Sequence, residues 1–211
     1  MIKKKIILIG SGGHANSCID VIDTGNTYEI AGYVDNKINK RSALKYLGAD
    51  NDLLKLRNKY EYAFLSIGFI KSPKIRIKLI KILDKGLYKA PILISARAFL
   101  SKKTLIGAGT VIHHNCIVNA NVNIGKFNII NTNALIEHDV DIGENNHIST
   151  GVIINGDTKI GSNNFIGSGT IVYHNIKIAN NCIIAAGSII KKNLLNNTII
   201  NKWKKNQKLK L

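Results

Sequence analysis

The sequence predicts two parts, a small parallel α/β domain and, after it, a parallel β-helix. An aliphatic residue stands at every sixth position from Ile94 to Ile190, without an insertion. A six-residue period fits neither an isolated helix nor a hairpin sheet. It is typical of a parallel β-helix, in which six residues form one flat side and one corner. Residues 1–90 lack this period, and their apolar runs alternate with helical segments, which indicates a parallel sheet with right-handed crossover helices.

The first domain is predicted from three strands and the helices that follow them. Lys5–Ile9 is a short apolar run that ends at a glycine, which is typical of a buried strand. Pro73 favours the start of the third helix, and Gly86 favours its end. The complete set comprises the strands Lys5–Ile9, Tyr28–Val34 and Tyr62–Ile67 and the helices Ala15–Val21, Asn51–Lys59 and Pro73–Leu83.

In the predicted β-helix, the repeated aliphatic residue points into the core, and a small or β-branched residue four positions later packs beside it. Gly, Asn and Asp at the corners tolerate a positive φ. With three sides of six residues in each coil, the repeat makes a little over five coils. The period ends at Ile190, so Lys191–Leu211, which contains Trp203, is expected to cap the open end or to form a basic tail. The expected domains are residues 1–90, 91–192 and 193–211.

Composition narrows the classes of function. The net charge is +17, yet the lysines are spread out and are not interleaved with aromatic residues, which disfavours nucleic-acid binding. A basic surface also suits small polyanions such as coenzyme A and nucleotide sugars.

No apolar run reaches the length of about 18 residues that a membrane span needs, and no signal cleavage site follows the first strand, so a cytoplasmic protein is expected. Three cysteines form no metal spacing and are expected to be reduced packing residues: Cys18, Cys116 and Cys182.

A glycine-rich segment separates the first predicted strand from its helix. Gly10-Ser11-Gly12-Gly13-His14 occupies the position at which backbone N–H groups and a helix N-terminus can hold an anion. Asp35 closes the second strand, where an acid often accepts hydrogen bonds from a ribose. A nucleotide-type ligand is therefore expected, and a tight turn without a ligand is the alternative. The histidine and the small size of the domain argue against NAD.

One corner of the predicted β-helix is the strongest candidate for catalysis. Glu137, His138 and Asp139 are consecutive, so a base lies beside carboxylates that can orient its ring and stabilise its charged form. Positions eighteen residues apart stack, which places His138 between Ala120 and Gly156. These small neighbours leave room for a reacting group and expose a backbone N–H near Gly156 as a candidate oxyanion donor. A solvated corner without a catalytic role is the alternative.

The sequence gives weaker support for a functional role of the other histidines. His174 lies in the same stacked column as His138 and can touch the same ligand. His147 follows nine residues after His138 and can face the same groove from a neighbouring copy. His113 and His114 have no adjacent acid. No trio of histidines or carboxylates has a convincing metal spacing, so no catalytic metal is expected.

Together these residues resemble the NeuD/PglD-type sugar acetyltransferases of the left-handed β-helix, hexapeptide-repeat superfamily. The resemblance runs over nearly the whole length, to about Lys192. The repeat alone would indicate only the superfamily, and the pair Glu137-His138 at its spacing from His147 is the specific part. The resemblance rests on Ile7–His14, Tyr33–Asn36, Ser66–Gly68, Arg76, Asn131-Thr132, Ile136–Asp139 and His147–Ser149.

The resemblance implies an acetyl-CoA-dependent homotrimer of bacterial surface-glycan biosynthesis, with acetyl-CoA in the groove between adjacent subunits. His138 matches the general base, with Asp139 and Glu137 as its acidic neighbours. A sugar amine or hydroxyl would attack the thioester directly in a ternary complex. The positions that match sugar-substrate binding are Gly10, Ser11, Gly12, Gly13, His14, Asp35 and Gly68. The positions expected to bind the cofactor are His147, Gly156, Ser168 and Ala186.

The sequence also departs from the family pattern. Asn196–Lys202 stands where the family commonly has a Gly-x-Pro-Ala turn, so contacts to the adenine of coenzyme A are not carried over. Asp139 replaces the longer Glu that sometimes follows the catalytic histidine. The run Ile148–Asp157 looks closer to the sialic acid O-acetyltransferase branch than to the amino-sugar branch. N-acetylation of a nucleotide-linked amino-dideoxy sugar is the first hypothesis; O-acetylation of a sialic-acid-like sugar and a non-catalytic nucleotide-sugar-binding protein are the alternatives.

Overall fold

The computed structural model describes residues 3–201. The strands of the N-terminal domain are β1 (Lys4–Ile9), β2 (Tyr28–Val34), β3 (Tyr46–Gly48) and β4 (Tyr62–Leu65). Its helices are α1 (Gly13–Asp23), α2 (Leu53–Leu56) and α3 (Lys74–Lys85). The strands form one parallel sheet in the order β3-β2-β1-β4. Within residues 3–201, every helix is too short or too polar to cross a membrane.

The three predicted strands of this domain are present, although β4 ends at Leu65 rather than at Ile67, and the helices also differ in detail. α1 begins at Gly13, two residues earlier than expected, with Gly12 at its N-cap. The expected helix Asn51–Lys59 is a 3-10 turn at Asp50–Asp52 followed by the single turn of α2. The sequence does not predict β3, because three residues are too short to show a strand period.

The sheet has an apolar core on each face, and both of these cores include residues of the solenoid. Ile6 and Leu8 point to the face covered by α1, whereas Ile7 and Ile9 point to the face covered by α3. Alternation of this kind follows from the two-residue period of a strand. Three outward residues of the solenoid join the cluster of Ile6 and Leu8: Leu93, Val111 and Ile129. The N-terminal domain therefore packs directly against one face of the solenoid.

The solenoid is a left-handed parallel β-helix with three faces, as expected. Each strand has two residues, and the second points into the core. The first face contains β5 (Leu93–Ile94), β8 (Val111–Ile112), β11 (Ile129–Ile130), β14 (His147–Ile148), β17 (Phe165–Ile166), β20 (Ile183–Ile184) and β22 (Ile199–Ile200). The second contains β6 (Phe99–Leu100), β9 (Ile117–Val118), β12 (Leu135–Ile136), β15 (Ile153–Ile154), β18 (Ile171–Val172) and β21 (Ile189–Ile190). The third contains β7 (Leu105–Ile106), β10 (Asn123–Ile124), β13 (Asp141–Ile142), β16 (Lys159–Ile160) and β19 (Lys177–Ile178).

The eighteen-residue stacking is confirmed on all three faces. On the second face, Leu135 pairs with Ile117 on one side and Ile153 on the other. At the corner that follows this face, Asp139 has a φ of 59°, and its N–H donates to the carbonyl of Ala120 at 3.0 Å. Asparagine and aspartate tolerate this left-handed backbone better than bulky residues, so the polar corners predicted from the sequence have a steric cause.

The end of the solenoid differs from the expectation. Pairing does not stop at Ile190, because β22 pairs with β20 and Leu194 bridges to Ile178. Both of these pairs span sixteen residues rather than eighteen, so the last coil is two residues shorter than the others. Because its residues no longer follow the six-residue spacing, the sequence period does not predict this coil. The expected boundary at residue 192 therefore cuts through paired structure, and residues 202–211, which include Trp203, lie outside the described residues.

Candidate active site

His138 lies on the corner between the second and third faces, with 58% of its side chain exposed. Its Nδ1 is 2.8 Å from Oδ2 of Asp139. Because the carboxylate accepts, Nδ1 carries the proton and Nε2 keeps a lone pair, which is the tautomer that a general base needs. The hydrogen bond that His138 donates to Asp139 is the largest cause that raises the pKa of His138, and the charges of Asp139, Asp157 and Glu137 act in the same direction.

The imidazole of His138 lies directly over Gly156, as the stacked column predicts. A Cβ added to Gly156 would lie 2.7 Å from Cε1 and 2.9 Å from Nε2 of the ring. Only a residue without a side chain allows so close an approach, since real Cβ atoms do not come within 3.0 Å. The ring borders an open groove of about 590 Å³, lined by Glu137, His138, Asn155, Gly156, Asp157, Tyr173 and His174.

The two acidic neighbours of His138 have different positions. Asp139 bonds the ring with Oδ2 and accepts a hydrogen bond from the Asn121 amide with Oδ1 at 2.9 Å, so both of its oxygens have partners. Glu137 instead accepts from the Asn119 amide at 2.9 Å and acts on the ring through its charge. Asp139 is therefore the group that orients the imidazole.

A second cavity of about 730 Å³ lies between the N-terminal domain and the solenoid. All seven residues expected to bind the sugar substrate border it: Gly10, Ser11, Gly12, Gly13, His14, Asp35 and Gly68. The sequence missed most of the other wall, which comes from the loop after β4 and from α3: Ser66, Ile67, Phe69, Ile70, Ile75 and Leu79. Asn36 and Asp50 close the far side, joined by a hydrogen bond of 2.9 Å from the amide of Asn36.

The glycine-rich segment leads into the N-terminus of α1. Gly10 has a φ of 103°, and a Cβ there would lie 2.3 Å from Cγ1 of Ile67, so the turn requires glycine. Among residues 3–201, no side chain caps α1, and a Cβ built on Gly12 or Gly13 would meet nothing within 4 Å. The first N–H groups of an eleven-residue helix therefore border open space in the cavity.

Asp35 fixes this segment as well as bordering the cavity. Its Oδ2 accepts from the N–H of Ser11 at 3.0 Å and from the Ser11 hydroxyl at 2.8 Å. The carbonyl of Ser11 in turn accepts from the Asn39 amide at 2.6 Å. One oxygen of the expected ribose acceptor is thus used to hold the glycine-rich turn, which leaves Oδ1 for a ligand.

His147 lies in the domain cavity, not in the groove of His138 in the same chain. It is the outward residue of β14, and its Nδ1–H donates to the carbonyl of Phe69 at 2.8 Å. Phe165 packs edge-on against its ring at a centroid distance of 5.3 Å. Burial lowers the pKa of His147 to about 4, so the ring is neutral, and its Nε2 is buried without a partner among the described residues.

The four positions expected to bind the cofactor are not brought together within one chain. Gly156 lies with His138 on the corner after the second face. Ser168 and Ala186 are exposed on the corner after the first face, where the Ser168 hydroxyl bonds the Ser149 hydroxyl at 2.9 Å. The second face separates these two corners. Any single ligand that touches all four positions therefore has to involve more than one chain.

Two further features of the domain boundary are absent from the sequence prediction. The sequence gives no metal-ligating trio, yet His14, Cys18 and His113 have their ligand atoms within 4.8 Å of one another. Helix α1 places the first two on one face, and domain packing adds the third, so the spacing of these residues in the sequence does not indicate the cluster.

Arg76 is the second feature. It is fully buried, and its guanidinium donates to the carbonyls of Ile67 and Phe127 and to the Asn145 side chain.

Comparisons with known proteins agree with this architecture. Residues 5–83 match the PglD N-terminal domain, and residues 157–192 match the bacterial transferase hexapeptide repeat. Among curated protein sequences, no relative matches the chain. The fold of PerB from Caulobacter crescentus, in complex with CoA and GDP-perosamine, is similar, with a TM-score of 0.86, 25% identity and coverage of 94% of both chains.

Two other solved structures are similar in fold. The acetyltransferase domain of PglB from Neisseria gonorrhoeae, in complex with acetyl coenzyme A, has a TM-score of 0.85 and 24% identity, with coverage of 94% of this chain and 96% of that one. A histidine-to-asparagine mutant of the perosamine N-acetyltransferase from Caulobacter crescentus has a TM-score of 0.77 and 24% identity, with coverage of 94% and 93%. The chain thus joins a segment that matches the PglD N-terminal domain to a β-helix with a hexapeptide-repeat match, which is the arrangement of the NeuD/PglD-type hexapeptide-repeat acyltransferases.

Proposed function

We propose that the protein transfers an acetyl group from acetyl-CoA to the amine of a nucleotide-linked amino sugar, with His138 as general base. The observation that carries the proposal is the exposed imidazole of His138, bonded to Asp139 and lying over Gly156 in an open groove. PerB, which is similar over 94% of both chains, is in complex with CoA and an amino-sugar nucleotide. Both partners are polyanions, which suits a chain with a net charge of +17.

In the proposed mechanism, the amine nitrogen of the sugar attacks the carbonyl carbon of the thioester. Nε2 of His138 takes the proton that the nitrogen loses, and the Asp139 carboxylate stabilises the imidazolium. The backbone N–H of Gly156 donates to the oxyanion of the tetrahedral intermediate. The C–S bond then breaks, and the sulfur leaves as coenzyme A thiol after it takes the proton back from the imidazolium.

The acceptor sugar is proposed to bind through its nucleotide in the domain cavity. The uncapped N-terminus of α1 provides N–H groups and a partial positive charge for phosphate oxygens. Oδ1 of Asp35 and the Asn36 side chain provide polar partners for a ribose. Nε2 of His147, buried at the solenoid side of the cavity, is the proposed acceptor for a polar group of the sugar or the acetyl donor.

A homotrimer is part of the proposal, because the second face of the solenoid carries an apolar strip that the rest of residues 3–201 leaves partly exposed. Six outward side chains line it, namely Phe99, Ile117, Leu135, Ile153, Ile171 and Ile189, and three of them are 43–59% exposed. The outward residues of the third face are mostly polar, which makes the second face the better contact surface. Corners with the proposed cofactor positions flank this strip on both sides, so packing of adjacent chains would bring these positions together.

The cytoplasm is the proposed location of the protein.

O-acetylation of a sialic-acid-like sugar is the second candidate. It differs from the first only in the nucleophile, since His138 can take a proton from a hydroxyl as well as from an amine. The amino sugar bound to PerB favours the first candidate. A panel that includes GDP-, UDP- and dTDP-linked amino sugars together with free and CMP-linked sialic acids separates the two.

The experiment measures release of coenzyme A thiol from acetyl-CoA with each acceptor of the panel. Turnover with at least one amino-sugar nucleotide is expected, and a loss of about 10²-fold or more is expected for His138→Ala. His114→Ala is the matched control, because His114 bonds Ser95 and borders neither the groove nor the domain cavity. Turnover with none of the acceptors contradicts the proposal, and so does a His138→Ala variant that keeps the wild-type rate.

A further inference from the structure

The boundary between the domains holds a cluster of three metal-ligating side chains. His14 and Cys18 are one helical turn apart on α1, and His113 follows β8 on the first face of the solenoid. Their ligand atoms all lie within 4.8 Å of one another. The cluster therefore draws two ligands from the N-terminal domain and one from the solenoid.

His113 is an independent indication that the cluster binds something. The residue is fully buried, yet neither of its ring nitrogens has a hydrogen-bond partner among residues 3–201. A buried polar group without a partner loses its hydrogen bonds to water and gains none in return, so buried histidines normally satisfy at least one nitrogen. The ring of His14 packs edge-on against it at a centroid distance of 5.4 Å.

The separation of two ligand atoms matches the geometry of a bound zinc ion. Sγ of Cys18 lies 3.6 Å from Nε2 of His14, which is also a thiol–imidazole hydrogen-bond distance. In a tetrahedral site, a Zn–S bond of about 2.3 Å and a Zn–N bond of about 2.05 Å separate these atoms by about 3.6 Å. The third ligand reaches the same ion with a side-chain movement of at most about 1.5 Å, since the ligand atoms all lie within 4.8 Å of one another and a tetrahedral zinc ion holds them about 3.3–3.6 Å apart.

We propose that Cys18, His14 and His113 bind one divalent transition metal ion, zinc by the nature of the ligands, which ties α1 to the solenoid. Two neutral imidazoles and one thiolate are a ligand set that zinc prefers to calcium or magnesium. On binding, the Cys18 thiol loses its proton to solvent and the sulfur coordinates the ion, without a change in oxidation state. His14 borders the domain cavity, which gives the ion a route from solvent.

This proposal does not depend on the proposed acetyl transfer, because its measurement is metal binding. The whole protein is stripped with a chelator, dialysed and reloaded with Zn²⁺ or Co²⁺ alone. About one tightly bound ion per chain is expected by elemental analysis, together with a higher Tm than the stripped protein, because a ligand that binds only the folded state stabilises it. Co²⁺ is expected to give a thiolate-to-metal charge-transfer band in the near ultraviolet.

Variants separate the cluster from adventitious binding. Cys18→Ala and His113→Gln are expected to lose the bound ion, the charge-transfer band and the metal-dependent rise in Tm. Cys182→Ala and His114→Gln are the matched controls and are expected to keep all three, because Cys182 lies in the solenoid core and the His114 ring bonds Ser95. If a cluster variant fails to fold, the spectrum of the wild-type protein decides.

Three results overturn the proposal. Wild-type protein that takes up less than about 0.1 ion per chain after reloading has no such site. A bound Co²⁺ without a thiolate band excludes Cys18 as a ligand. Equal metal content in Cys18→Ala and in the wild type assigns the ion to other residues.

Discussion

Gly156 sets the position of the His138 imidazole, and its replacement by alanine tests this directly. The backbone of Gly156 is not in the left-handed region, so alanine fits the main chain without strain. The new Cβ would lie 2.7 Å from Cε1 of His138, whereas ordinary contact begins at 3.4 Å. The ring therefore has to retreat by about 0.7 Å. A misplacement near 1 Å can cost about 10²-fold in rate, so kcat is expected to fall by a factor of this order.

The assay is steady-state release of coenzyme A thiol, with KM measured for both substrates. A double-mutant cycle provides the control: in a His138→Ala background, the added methyl group is expected to change kcat by less than about threefold. A Gly156→Ala variant with wild-type kcat refutes the argument. Equal losses in both backgrounds also refute it, because the methyl group then acts on something other than His138.

Two further predictions concern the residues that hold the site. Asp139→Asn removes the largest cause that raises the pKa of His138, so that pKa should fall. Because the proposed base must be deprotonated to act, the acid limb of the kcat/KM profile should move to lower pH; an unmoved limb contradicts the proposed role of His138. Arg76→Met removes the donor to Ile67, Phe127 and Asn145, and the unpaired acceptors should reduce the free energy of unfolding by about 3 kcal/mol or more. Urea denaturation measures this loss, with the exposed Arg41→Met as the control, and equal stability of the two variants contradicts it.

The sequence predicts the solenoid well because the six-residue period of the sequence follows directly from the geometry of the coils. One inward aliphatic residue in every six fixes both the three faces and the eighteen-residue stacking. From these two facts alone, His138 could be placed over Gly156, and the structure confirms that placement. The same reasoning failed after Ile190, because the last coil lacks two residues and so leaves the register on which the prediction depends.

Contacts between the two domains could not be predicted in the same way. His147 has the spacing of a groove residue, yet the N-terminal domain covers its face of the solenoid, so it lies under Phe69. The position of a folded domain on a solenoid depends on surface packing over many residues. A local sequence pattern does not predict this packing. The meeting of His113 with Cys18 has the same origin, since 95 residues separate them in the chain.

The shortened last coil shows how this architecture can change length. A coil of eighteen residues that is added or removed shifts the following strands along the solenoid axis by about 4.8 Å and returns every later side chain to its own face. An insertion of six residues would instead turn all later positions onto the next face and would separate His138 from a partner beyond the insertion. Natural variation should therefore preserve the corner that bears His138 when whole coils are exchanged. Irregular changes should gather at the ends, where the coil that bears Leu194 already lacks two residues without disturbing any other coil.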